Sequence, residues 1–65
     1  MLTEKEATKA REKLRRALAL LSEARVVYAD AGCIPGIRNL NGIAGLLDDE
    51  IAALTRIIAD SSAGA

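Results

Sequence analysis

The chain has 65 residues, of which 51% are hydrophobic and 28% charged, and its nine basic and nine acidic residues leave a net charge of zero with a pI near 6.2. So apolar a composition excludes a disordered segment, and the balanced charge excludes a global field drawing the chain onto nucleic acid or anionic lipid. A single cysteine and no histidine exclude an intrachain disulfide and a Cys/His zinc site within one chain.

At this length residues 1–65 form one domain, and a domain so short buries only about 60% of its unfolded surface, so self-association or a staple is expected to complete it. Trp and Phe are absent and Tyr28 is the one aromatic. The core is therefore aliphatic. The opening MLTEKEATKA is charged where a signal peptide needs an apolar run, and the longest charge-free stretch, Asn39 to Leu47, falls far short of the roughly 20 apolar residues that span a bilayer. The expectation is a cytoplasmic protein with no membrane association.

In chain order, the first helix begins at Thr3, followed three residues later by Glu6 in the capping-box pattern. No Gly or Pro interrupts residues 3–31, and Gly32 then sits where a left-handed cap would end the helix. The expected span is about 3–31. Along it runs a seam of Ala7, Ala10, Leu14, Ala17, Leu21, Ala24, Tyr28 and Ala31, with Leu14, Leu21 and Tyr28 at position a of a heptad and the alanines 10, 17, 24 and 31 at position d. A methyl group recurring every seven residues lets a neighbouring backbone approach closely.

The second helix is expected over about 36–60, starting near Pro35, with a rival start near Asn41, whose side chain could cap it. Its seam is Ile37, Leu40, Ala44, Leu47, Ile51, Leu54 and Ile58, spaced alternately three and four, and it crosses Gly42 and Gly45, each costing about 1 kcal/mol against Ala. Residues 61–65 are expected to fray. A short turn between long helices makes them antiparallel, so Ile and Leu of the second seam fill the space left by the alanines of the first. With the turn near residue 34, facing residues have numbers that sum to about 68. That alignment predicts charge pairs of Arg15 and Arg16 with Asp48, Asp49 and Glu50, of Lys9 and Arg11 with Asp60, and of Asp30 with Arg38.

Eight large aliphatics lie outside the seams: Leu18, Leu20, Val26, Val27, Ile34, Ile43, Leu46 and Ile57. Burying each stabilises by about 1.5–3 kcal/mol, so a pair of chains that buries most of them gains tens of kcal/mol gross against the roughly 4–15 kcal/mol lost on association. Leu20, Val27, Ile43 and Ile57 share position g. The fold expected is an all-α antiparallel hairpin dimerising into a four-helix bundle, with Leu18, Leu20, Val27, Ile43, Leu46 and Ile57 at the oligomer interface and a tetramer as the next possibility.

Candidate sites are few. Lys9, Lys13 and Arg16 share one helix face with a spacing that could straddle phosphates, although Glu12 interrupts it and no aromatic lies nearby to stack on a base. Cys33, in GCIPG at the turn, is either a reactive thiol near a helix start or a small apolar filler. Tyr28 reads as a core filler with its hydroxyl at the surface. Asp48, Asp49 and Glu50 are consecutive and so point three ways on a helix, which suits solvation better than one metal ion. With no His, glycine-rich phosphate loop or serine beside a base, catalysis lacks its parts and no cofactor is implied.

In length and in its layering of small against large residues, the hairpin resembles the Rop type of plasmid-control protein, a helical hairpin that dimerises and binds paired RNA loops with the outer face of its first helices. No residue motif matches, so the resemblance implies RNA binding by analogy of architecture alone. The function expected is a non-enzymatic homo-oligomeric interaction module, an adaptor or regulatory protein that binds another protein. The alternatives are nucleic-acid binding by the basic face and a role as accessory subunit of a larger complex.

Overall fold

A computed structural model describes the backbone of residues 2–64 and the side chains of residues 2–61. Two helices, α1 (Glu4–Asp30) and α2 (Ile34–Gly64), pack against each other as a hairpin measuring 50 × 16 × 15 Å. Among the described residues no helix is long and apolar enough to cross a membrane.

Helix α1 starts as its sequence dictates. Thr3 holds extended backbone as the N-cap, its hydroxyl accepts from the Glu6 N–H at 3.1 Å, and its own N–H donates to Glu6 Oε1 at 3.0 Å. Two donors that the first turn would leave unpaired are thereby satisfied. At the other end Gly32 takes φ 71°, its N–H donates to the Ala29 carbonyl at 3.1 Å, and the Cys33 N–H donates to the Tyr28 carbonyl at 2.9 Å. These paired bonds are a Schellman closure, which needs a residue free to adopt the left-handed conformation. Ala31 is the C-cap and is exposed, so the last alanine of the expected seam lies outside the helix and off the contact line.

Helix α2 begins two residues earlier than expected and well before Asn41. The Ile37 N–H donates to the Cys33 carbonyl at 3.2 Å, which makes Cys33 the N-cap, Ile34 the first helical residue and Pro35 the second. The closure of α1 ends at Cys33 and leaves its carbonyl free, so the next helix starts at once. Proline in this first turn forfeits no intrahelical bond. The helix also runs past residue 60 to Gly64.

The interior is thin. Ala7 and Leu54, at 0% and 5% exposure, are the buried hydrophobics, and Ala10, Leu14, Ala17, Leu21, Ala24, Ile37, Leu40, Ala44, Leu47, Ile51 and Ile58 are half-buried along the line between the helices. Tyr28 is more exposed than these. Its ring lies on the backbone of Gly36, where an added Cβ would stand 2.8 Å from Cδ1 and 2.9 Å from Cγ and Cε1. Glycine is what permits that approach.

Taken alone, the hairpin has a solvent-accessible surface of 4850 Å². A compact monomer of this mass would expose about 4,000 Å², so the surplus is roughly 900 Å². Two helices side by side bury one stripe each and leave the rest wet.

Candidate functional site

The two long flanks of the hairpin differ in chemistry. In an antiparallel pair, position e of one helix borders position e of the other, and position g borders position g. Along the e flank Arg11 Nη1 donates to Thr55 Oγ1 at 3.3 Å and Arg25 Nη1 to Asn41 Oδ1 at 2.7 Å. The Thr55 hydroxyl donates in turn to the Ile51 carbonyl at 2.8 Å, which turns its lone pairs outward toward the guanidinium. Both bonds join residues whose numbers sum to 66, and the two bonds sit two heptads apart on each helix. An offset of two residues from the expected seam sum, about 3 Å along the axis, is within reach of an arginine, so the bonds agree with the seam alignment.

This flank also carries a shallow, open groove lined by Ser22, Arg25, Val26, Ala29, Ile37 and Asn41. Its walls mix charge, amide and aliphatic groups. Leu18 lies half-buried between the two arginines in sequence.

The g flank is different. Leu20 and Val27 of α1 and Ile43 of α2 occupy it, Leu46 borders it at position c, and all four are exposed. Ile57, further from the turn, is half-buried. Beyond the aliphatic stretch, toward the open end of the hairpin, α1 places Lys9, Lys13 and Arg16, and α2 places Glu50 and Asp60. Of the other aliphatics outside the seams, Val26 and Ile34 are also exposed but belong to positions f and e.

The expected charge pairs across the hairpin do not form among the described residues. Arg16 instead pairs with Glu12 one turn earlier, at 3.1 Å, with both side chains largely in solvent. The reason lies in the heptad. Arg15, Arg16, Asp30, Arg38, Asp49 and Asp60 occupy positions b, c and f, which point away from the partner helix, so equal height along the axis does not bring them together. Arg11, at position e, takes Thr55 rather than Asp60.

Lys9, Lys13 and Arg16 are all exposed, and Lys9 lines a shallow surface dip with Glu4, Lys5, Thr8 and Glu12. Both signs are present there. Cys33 is free, half-buried and engaged through its backbone at the turn. Asp48, Asp49 and Glu50 are exposed, and among the described residues no group of three Cys, Asp or Glu side chains converges. Near the N-terminus the Thr3 backbone N–H, and then its hydroxyl, hold the Glu6 carboxyl below its ordinary value of 4.5.

Sequence reasoning missed three of these features. The arginine bonds of the e flank were foreshadowed by Arg11 and Arg25 standing at the same heptad position. Glu50 at position g was equally visible. The seating of Tyr28 on Gly36 had no linear signal. No protein-family model matches the chain, and no curated protein or solved structure shows significant similarity to it.

Proposed function

We propose that the chain is a non-enzymatic helical interaction module that works as a homodimer of hairpins, four helices packed as a bundle, and serves as an adaptor or regulatory protein. The observation that carries this reading is the surplus of roughly 900 Å² of surface, together with exposed Leu20, Val27, Ile43 and Leu46 on one flank. A specific interface takes about 800 Å² from each partner, so the surplus is of the size that one partner covers.

The alternative, binding of nucleic acid by Lys9, Lys13 and Arg16, has less support. Arg16 is engaged by Glu12, and the neighbouring surface mixes Glu4 and Glu12 with Lys5 and Lys9. A phosphate-tracking face instead concentrates one sign.

Co-expression of a tagged and an untagged copy tests the proposal. Capture of the untagged copy at both low and high salt is the expected result, since apolar burial is not screened by ions. Capture of nucleic acid that is released by salt, with no untagged copy, would overturn the reading in favour of the alternative. Capture of a different protein without the untagged copy would replace the homodimer with an accessory-subunit role.

A further inference from the structure

We infer that the g flank is the seat of a second copy of this chain, and that the two hairpins lie with their turns at the same end of the bundle. The inference rests on the homodimer reading and specifies it further. Of the two flanks, e is closed by the Arg11–Thr55 and Arg25–Asn41 hydrogen bonds, and covering it would strip water from two guanidinium groups. The g flank offers Leu20, Val27 and Ile43 to cover, with Lys13 and Glu50 toward the open end, and among the described residues no side-chain bond joins the two helices along it.

The direction of the second copy follows from where residues stand along the hairpin. Counted outward from the turn, Leu20, Val27, Ile43 and Leu46 fall within about one heptad of one another, a height of roughly 10 Å. When two hairpins meet by a twofold axis running along the bundle, α1 of one copy borders α2 of the other and equal heights face each other. Val27 then meets the partner's Ile43, Leu20 lies between the partner's Leu46 and the partner's Glu50, and Lys13 comes beside the partner's Ile57. Toward the open end, Arg16 comes within about 3 Å in height of the partner's Glu50, and Lys9 within about 2 Å of the partner's Asp60. Among the described residues Arg16 and Lys9 have no charged partner across their own hairpin, and this placement supplies one.

The opposite placement, turns at opposite ends with full overlap, sets α1 against the partner's α1. In the register that draws the two Glu50 carboxylates together, it would lay Val27 against the partner's Lys9 and Leu20 against the partner's Arg16. Apolar surface would face charge, and like charge would face like, which disfavours that arrangement.

Cys33, the single cysteine, sits at the turn and reports on direction without any substitution. A nitroxide label on Cys33 of the full chain, read by pulsed dipolar spectroscopy, is expected to give a distance below about 30 Å, because only a few interhelical spacings separate the two turns. A distance near the 50 Å length of the hairpin would overturn the shared-end arrangement while leaving the homodimer in place. A labelled chain with the mass of one copy and no dipolar signal would overturn the homodimer reading itself.

Adjacent valines test the face. Val27 is 68% and Val26 59% exposed, so Lys is tolerated equally by an isolated hairpin at either position. Val27→Lys is expected to raise the dimer Kd at least about 100-fold, since two copies each lose a buried valine, and Val26→Lys to change it less than about threefold. Equal effects of the two substitutions would overturn the assignment of the face.

Discussion

Gly36→Ala carries a sign that composition alone would get wrong. Alanine in place of glycine inside an open helix stabilises by about 1 kcal/mol. Gly42 and Gly45 meet that description, because a Cβ added at either finds nothing within 4 Å. At Gly36 the new methyl group would stand 2.8–2.9 Å from three ring atoms of Tyr28, Cγ among them. Carbon atoms rest at about 3.5–4.0 Å, so the ring must move by close to 1 Å, and Cγ is not a flexible tip that swings aside. Overpacking of this kind costs about 1–3 kcal/mol, which cancels or exceeds the helix gain. Gly36→Ala should therefore leave stability unchanged or lower it by up to about 2 kcal/mol, while Gly42→Ala raises it by about 1. In thermal unfolding followed by far-UV circular dichroism, at one protein concentration, the two variants should melt at least about 5 °C apart. The Tyr28→Ala background supplies the control. With the ring gone, Gly36→Ala should become stabilising. A Gly36→Ala protein that melts as high as Gly42→Ala with Tyr28 present would refute the reasoning.

Two further substitutions probe the contact line and the cap. Ala17→Leu adds bulk where α1 faces the Ile51 region of α2, and a loss of about 1–3 kcal/mol is expected in chemical denaturation; Ala19→Leu, at an exposed position, should stay within about 0.5 kcal/mol of the parent. The Glu6 carboxyl is held below 4.5 by its bonds to Thr3, so its stabilising contribution is fully present above 4.5 and is lost as pH falls through the lower folded value. Glu6→Gln should remove that part of the acid limb in a pH series of melting temperatures, and an acid limb identical to the parent's would count against the capping box as a pH-sensitive element.

The parts of the fold that were legible in the sequence are those fixed locally. Thr3 with Glu6 sets the start of α1, and Gly32 sets its end, because each acts on backbone groups within one turn. The start of α2 near Pro35 was legible from the proline, and the structure sets it at Ile34 rather than near Asn41; nothing in a linear reading marks Cys33 as the cap. Ala31 continues the heptad in sequence but falls on the cap, where the backbone has already left the helix. The charge pairs fail for a geometric reason: equal height along the axis brings two residues together only where both point toward the partner helix, and Arg15 and Arg16, at positions b and c, point outward. The seating of Tyr28 on Gly36 depends on how the chain crosses over at the turn, and spacing does not encode it. The contrast between the flanks is half legible, because Leu20, Val27, Ile43 and Ile57 share position g in the sequence, beside Lys13 and Glu50, whereas the bonds closing the e flank appear only once both helices are in place.

Sedimentation equilibrium combined with circular dichroism on the same samples tests most directly whether one hairpin suffices. A homodimer of hairpins requires a particle of twice 6.8 kDa at micromolar concentration, with mass and helix content falling together on dilution. A fully helical particle of 6.8 kDa that keeps its structure across that range would contradict it.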